Sequence, residues 1–259
     1  MPVELKSTSH GQTMVLTLSN PEYRNALGPE MYAAGVEALS VAESSPDIRS
    51  VVIVGEGNFF SAGGNLNRLL ANRSQPAEVQ AQSIEGLHSW IESIRSFPKP
   101  VVAAVEGAAA GAGFSLALAC DFIVAAPDAV FVMAYSNIAL SPDGGGSWSL
   151  PQQLPRQLAT ELLMCGEKVA AQRLLELGVL NRLAPPGNAL AEALALAHKL
   201  NQRAPNALAS IKELLNDAAT NTLHQQLAAE RDHFVRNLHH ANAGTGIAAL
   251  LAKQTPTYE

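Results

Sequence analysis

Lys99-Pro100-Val101-Val102-Ala103-Ala104-Val105-Glu106-Gly107 runs directly into Ala108-Ala109-Ala110-Gly111-Ala112-Gly113. The first part reads as a short buried strand over Val101–Val105, set off by Pro98 and Pro100. The second places glycines at 107, 111 and 113, where that strand hands over to a helix. No charged residue occurs between Glu106 and Asp121. The stretch is shorter than the about 20 residues a bilayer span requires, so it reads as core. Free backbone N–H groups at a helix start form an electropositive pocket that holds a phosphate or a developing oxyanion. A second glycine cluster, Ser61-Ala62-Gly63-Gly64-Asn65, follows a β-branched strand at Ser50–Val54 and precedes a helical stretch from Leu66. A third is Pro142-Asp143-Gly144-Gly145-Gly146. Taken singly, each also reads as a plain tight turn.

Working outward, Gln12–Leu18 alternates with Met14, Leu16 and Leu18 on one face, and Asp121–Ala125 and Val130–Met133 are further strands. Pro29–Glu43 carries Met31, Val36, Leu39 and Val41 at helical spacing, with Pro29 suited to the first turn. Strands alternating with helices predict an α/β layered domain. From about Leu150 onward the expectation is helical: 158–164, 170–177, 190–201, 206–218 and 223–238. Pro185-Pro186-Gly187 marks the best boundary, separating a core over 1–187 from a helical region over 188–259. Identity between segments is too weak to predict a solenoid.

The 259 residues are 47% hydrophobic and only 15% charged, enough to bury a substantial core and too apolar for a disordered chain. A net charge of −6 gives no general reason to expect nucleic acid or an anionic membrane as partner. Two cysteines, Cys120 and Cys165, fit a reducing compartment, and Met1–His10 is too polar for a signal peptide, so a cytoplasmic protein is expected. The seven histidines show no metal-ligand spacing; His239-His240 reads as a solvated helix face, and no metal is expected.

Two motif tests narrow the chemistry. Gly107–Gly113 fits neither G-x-G-x-x-G nor G-x-x-x-x-G-K-[ST], and no lysine follows it, which argues against a nucleotide loop. Gly113-Phe114-Ser115-Leu116-Ala117 approaches the nucleophile elbow G-x-S-x-G, but the strand ends near Glu106, several residues too early for a hydrolase serine.

Together with Asn25-Ala26-Leu27, Phe60–Leu66, Lys99–Gly107, Gly111-Ala112-Gly113, Ala119-Cys120-Asp121, Ser141–Gly146 and the tail Gly246–Lys253, the chain resembles the crotonase (enoyl-CoA hydratase/isomerase) superfamily over nearly its whole length. The resemblance implies an α/β spiral of ββα units followed by a C-terminal helical trimerisation region. It implies an acyl-CoA substrate, no metal or redox cofactor, and a homotrimer or homohexamer. It places two oxyanion-binding N–H groups at Gly64 and Ala112, which agrees with the glycine turns read above. Arg24 matches a position near the pantetheine and phosphates, and Lys253 a tail position that can reach the nucleotide of a neighbouring subunit, with an ordinary surface charge as the alternative for each. Arg68 and Arg73 are weaker candidates for the adenine side. Ala26, Ala62, Gly63, Asn65 and Leu66 fall in the segments that line the CoA. Asn65 stands where many members have Asp, and keeps an acceptor oxygen without the charge.

Hydratases of the family carry two glutamates, whose positions hold Ser115 and Tyr135 here. Neither is a good base near neutral pH. Asp143 is the remaining acid, in a Pro-Asp-Gly context like that of members that move double bonds; the same tripeptide is also a common β-turn. The resemblance thus favours a β,γ-to-α,β enoyl-CoA isomerase with Asp143 as acid/base, and Ser115, Tyr135, Leu140 and Trp148 around the acyl group. The alternatives are a hydratase with altered residues and a non-catalytic acyl-CoA-binding or scaffold protein.

Overall fold

The computed structural model describes residues 3–258. In chain order the strands and helices begin β1 (Glu4–His10), β2 (Thr13–Ser19), α1 (Pro29–Ser44), β3 (Ser50–Gly55), α2 (Leu66–Asn72) and α3 (Ala77–Ser96). The central part is β4 (Val101–Val105), β5 (Ala108–Ala110), α4 (Ala112–Ala119), β6 (Phe122–Ala125) and β7 (Val130–Val132). It continues with α5 (Gly146–Gln153), α6 (Arg156–Cys165), β8 (Val169–Ala170), α7 (Ala171–Glu176) and β9 (Arg182–Leu183). Four helices close the chain: α8 (Ala189–Asn201), α9 (Pro205–Asp217), α10 (Leu223–Leu238) and α11 (Ala241–Leu251).

Six strands form one sheet in the order β1-β2-β3-β4-β6-β9. Only β1 and β2 pair antiparallel. A smaller sheet runs β5-β7-β8, and the isolated bridges Ser61–Ala109 and Leu27–Gly64 extend it beyond β5. The chain therefore repeats one unit: a long strand, a short crossing segment, a helix. β2, Leu27 and α1 make the first turn; β3, Ser61–Gly64 and α2–α3 the second; β4, β5 and α4 the third. This is the expected spiral of ββα units. The turns share a backbone path rather than side chains, which is why identity between segments does not reveal them.

The central strands β2, β3, β4 and β6 are buried on both faces, as their apolar runs require. Leu16, Leu18, Val51, Ile53, Val101 and Ala103 pack with Trp90 and Ile94 of α3 on one face. Val15, Val52, Val102, Ala104 and Val124 meet Ala189, Ala193 and Ala197 of α8 on the other. α8 thus covers the second face of β2, opposite Leu16 and Leu18. The turn at Pro185-Pro186-Gly187 is present, but the helix after it closes the sheet, and Glu106 holds that helix's start by accepting from the N–H groups of Gly187 (3.3 Å) and Ala189 (2.8 Å). The helices that stand apart from the core begin at α9. They bury only Ser210, His233 and Asn242, and leave Leu215 (69% exposed), Phe234 (68%) and Leu251 (81%) in the open. Among the described residues no helix is long and apolar enough to cross a membrane.

Candidate active site

A cleft of ≈ 720 Å³ opens where the second and third spiral turns meet α3 and the segment before α5. Its floor is built from the glycine-rich crossings. Asn25, in left-handed conformation (φ 57°), ties the first crossing down: its amide donates to the carbonyls of Glu56 (2.9 Å) and Phe59 (2.8 Å), and its Oδ1 accepts from Asn20 N–H (3.1 Å). Leu27 N–H then donates to Gly63 O (2.7 Å), and Ala62 N–H to Arg24 O (2.9 Å). On the far side, Ser61 is hydrogen-bonded to both Ala108 and Ala110. Gly63 sits where the crossings touch. Its φ is +84°, and a Cβ there would lie 2.5 Å from Ala110 O and 3.2 Å from Ala112 N. No other residue type fits.

These contacts bring Gly64 and Ala112 to the same wall of the cleft. Ala112 is the first residue of α4, behind Gly111 as N-cap, so its N–H has no partner inside the helix. Among the described residues, neither the Gly64 nor the Ala112 N–H donates to a protein acceptor. Asn65 caps α2: its Oδ1 accepts from the N–H groups of Asn67 (3.0 Å) and Arg68 (3.2 Å). The acceptor oxygen is the atom used there, so losing the carboxylate charge costs the loop no hydrogen bond.

Asp143 reaches the cleft from a turn whose glycines at 144 and 145 hold φ of +58° and +80°. The Tyr135 hydroxyl donates to Asp143 Oδ1 at 2.6 Å. Among the described residues this leaves Oδ2 as the carboxylate oxygen open to a ligand. Tyr135 is itself 8% exposed, and its ring sits against Gly111, so the carboxylate stands beside the turn that carries Ala112. Burial pushes the Tyr135 phenol far above its ordinary range, and the adjacent Asp143 charge and hydrogen bond add to the shift. Tyr135 therefore keeps its proton and is a fixed hydrogen-bond donor to the carboxylate.

Most of the residues singled out from sequence come together here: Asp143, Gly64, Ala112, Arg24, Ala26, Ala62, Asn65, Leu66, Tyr135 and Leu140 all line the cleft. Gly63 lies just beneath the lining. Arg24 stacks over the Phe59 ring at 5.1 Å. Two expectations require correction. Ser115 does not face the acyl space: it is 1% exposed and donates to the Asp143 backbone carbonyl (2.9 Å), bracing the turn from α4. Its near match to a nucleophile elbow is thereby explained as a support for that turn. Trp148 is on the outer surface, 44% exposed and stacked on the Arg95 guanidinium at 4.5 Å. Lys253, expected to reach the nucleotide of a neighbouring subunit, is exposed after α11 and outside the cleft of its own chain.

Two wall elements escaped sequence reasoning. α3 contributes Gln80, Ser83, Ile84, Leu87 and His88. Tyr32 of α1, 4% exposed, also reaches the cleft beside Arg68 of α2. Burial pushes the Tyr32 phenol up; the Arg68 guanidinium pulls it back, and Asp143 adds to the rise. Tyr32 thus senses charge from both directions across the cleft.

Comparison with known proteins agrees with this architecture. The sequence profile of the family described as Enoyl-CoA hydratase/isomerase matches residues 8–259. The chain is 37% identical to the 1,2-epoxyphenylacetyl-CoA isomerase of Escherichia coli K12, covering 95% of this chain and 94% of that one. It is 32% identical to the 2,3-dehydroadipyl-CoA hydratase of the same organism, covering 99% and 98%. The crystal structure of an enoyl-CoA hydratase from Polaromonas sp. JS666 superimposes with a TM-score of 0.98 at 71% identity, over 99% of this chain and 100% of that one. Fold, cleft and sequence agree: the chain belongs to the enoyl-CoA hydratase/isomerase family, whose members process acyl-CoA thioesters.

Proposed function

We propose that the protein is an enoyl-CoA isomerase that moves a β,γ double bond into conjugation with the thioester. The observation that carries this reading is the Asp143 carboxylate in the cleft, held on one oxygen by Tyr135 at 2.6 Å. Asp143 removes a proton from the substrate α carbon. The electron pair forms a thioester enolate, whose oxygen accepts hydrogen bonds from the Gly64 and Ala112 N–H groups. The same acid returns the proton to the γ carbon, and the double bond lies between α and β. Each such donor contributes about 3–4 kcal/mol in comparable acyl-transfer sites. Ala112, at the start of α4, adds the favourable end of a helix dipole. The chain's own groups carry every step. Arg24 at the cleft wall meets the CoA phosphates, and the exposed apolar residues of α9–α11 form the contact between subunits, where Lys253 reaches a neighbour's CoA.

The 37% identity to an epoxyphenylacetyl-CoA isomerase favours isomerisation, whereas the hydratase names of other relatives favour a second reading, addition of water to a 2-enoyl-CoA. Hydration calls for two groups that position a water, and Ser115 is turned to the Asp143 backbone instead. Offering 3-enoyl-CoA and 2-enoyl-CoA separately, and following the absorbance of the conjugated thioester, tests the two. A rise with the first substrate is expected. A loss with the second and no rise with the first refutes isomerisation, and no change in either supports a non-catalytic acyl-CoA binder.

A further inference from the structure

We infer that Arg68 makes this cleft selective for acyl chains that end in an anionic group, a carboxylate above all. The inference rests on the acyl-CoA reading above and names the class of acyl group. Three observations carry it. Arg68 lines the cleft, while its Nε is buried with no hydrogen-bond partner. Its charge has no ion-pair partner among the described residues. Tyr32 from α1 stands beside it, and α3 adds the polar Gln80, Ser83 and His88 to a lining that is otherwise largely apolar.

A cleft for plain hydrocarbon tails gains nothing from a guanidinium, because the tail strips its water and offers no acceptor in return. A carboxylate satisfies it, since the planar fork of arginine accommodates two carboxylate oxygens at once. The absence, among the described residues, of a protein carboxylate beside the guanidinium is then accounted for by the ligand. The placement is settled by backbone: Asn65 Oδ1 accepts the Arg68 N–H at 3.2 Å, which fixes the first turn of α2. Gln80 accepts from Asn72 Nδ2 at 2.7 Å and ties the far end of α2 to α3. The Arg68 guanidinium and the Asp143 carboxylate both act on the Tyr32 phenol, and all three line the same cleft, which puts the cation on the side of the proposed acid/base. The acids on the cleft lining are Glu22 and Asp143, and an anionic tail is attracted by Arg68 against their repulsion.

The test compares two saturated ligands of one length, hexanoyl-CoA and its ω-carboxylate counterpart adipoyl-CoA, by calorimetry at low and high salt. The wild-type protein is expected to bind adipoyl-CoA at least about tenfold more tightly, the scale of one charge-assisted hydrogen-bonded pair. In Arg68→Gln the ratio of the two dissociation constants falls to near one, and Arg68→Lys gives an intermediate ratio. No preference in the wild-type protein overturns the inference. So does an Arg68→Gln variant that weakens both ligands by the same factor, which puts the cation on the CoA phosphates. Measuring binding keeps the result separate from the chemistry. A preference for adipoyl-CoA without any double-bond shift in 3-enoyl thioesters refutes the isomerase reading alone. Equal turnover of neutral and ω-carboxylated 3-enoyl-CoA refutes tail recognition alone.

Discussion

Replacing Asp143 by Asn is the sharpest probe of the proposed chemistry, because the structure lets the exchange be almost silent for the fold. Asn has the same shape. The Tyr135 hydroxyl at 2.6 Å still finds an acceptor in the amide oxygen, and the Ser115 hydroxyl bonds the backbone carbonyl of residue 143, which is unchanged. The turn therefore stays in place, as do the N–H groups of Gly64 and Ala112. What is lost is a basic oxygen able to take and return a proton. Positioned acid/base catalysis contributes about 10²–10⁴ in rate. At about 1.4 kcal/mol per tenfold, the variant should raise the barrier by roughly 3–5 kcal/mol. The assay is the steady-state conversion of a 3-enoyl-CoA followed by conjugated-thioester absorbance, beside the affinity for a saturated acyl-CoA by calorimetry. kcat should fall by at least a hundredfold with acyl-CoA affinity within about threefold of wild type. A variant that retains a tenth or more of kcat refutes Asp143 as the proton carrier. A variant that loses affinity as steeply as rate refutes the claim that the residue acts only in the chemical step.

Three further outcomes follow from the packing. Gly63→Ala must move Ala110 O or Ala112 N, since its Cβ would lie 2.5 Å and 3.2 Å from them at φ +84°; it should lower the thermal midpoint and kcat together, and normal kcat would refute the welded-turn geometry. Gly35→Ala sits mid-helix in α1, where alanine normally stabilises by about 1 kcal/mol, yet its Cβ would fall 2.2 Å from the Trp90 ring. The sign should reverse, and denaturant unfolding that shows a stabilised protein would refute the close approach of α1 to α3. Tyr135→Phe tests alkaline stability. Burial and Asp143 hold the folded-state phenol above its ordinary value of 10.0, so its contribution is intact below that pH and lost as pH rises beyond it. Unfolding free energy of the wild-type protein should decline between pH 9 and 11 more steeply than that of Tyr135→Phe, approaching about 1.4 kcal/mol per pH unit at the top of the range. Equal slopes would refute the buried phenol as the source.

Sequence was most informative where backbone decides function. The glycine crossings at 61–64 and 111–113 and the β-branched strands at 50–54 and 101–105 carry their geometry in residue type, so the spiral, the two amides and Asp143 were legible. Other elements were not. β1 is a polar edge strand, mostly solvent-facing, and lacks the alternation that marks a strand. α3 buries Leu87, Trp90, Ile91 and Ile94 only in its second half; its first half turns Gln80 and Ser83 to the cleft, and this functional face interrupts the apolar period. α4 is buried on every side, so it shows no stripe at all. Ser115 and Trp148 were misplaced for a related reason: position in a motif does not say which way a side chain turns, and the two ends of the 141–150 segment face opposite surroundings.

α2 carries no buried side chain, although Leu66, Asn67, Arg68 and Leu69 line the cleft. It is held by a cap, Asn65, and by one amide contact from Asn72 to Gln80. Its residues can therefore be exchanged without opening a cavity in the core or disturbing the crossings that aim Gly64 and Ala112. On the proposed chemistry, reaction type and substrate range are thereby heritable separately: drift in one seven-residue helix can retune what the protein accepts, while the two amides proposed to polarise the thioester descend unchanged.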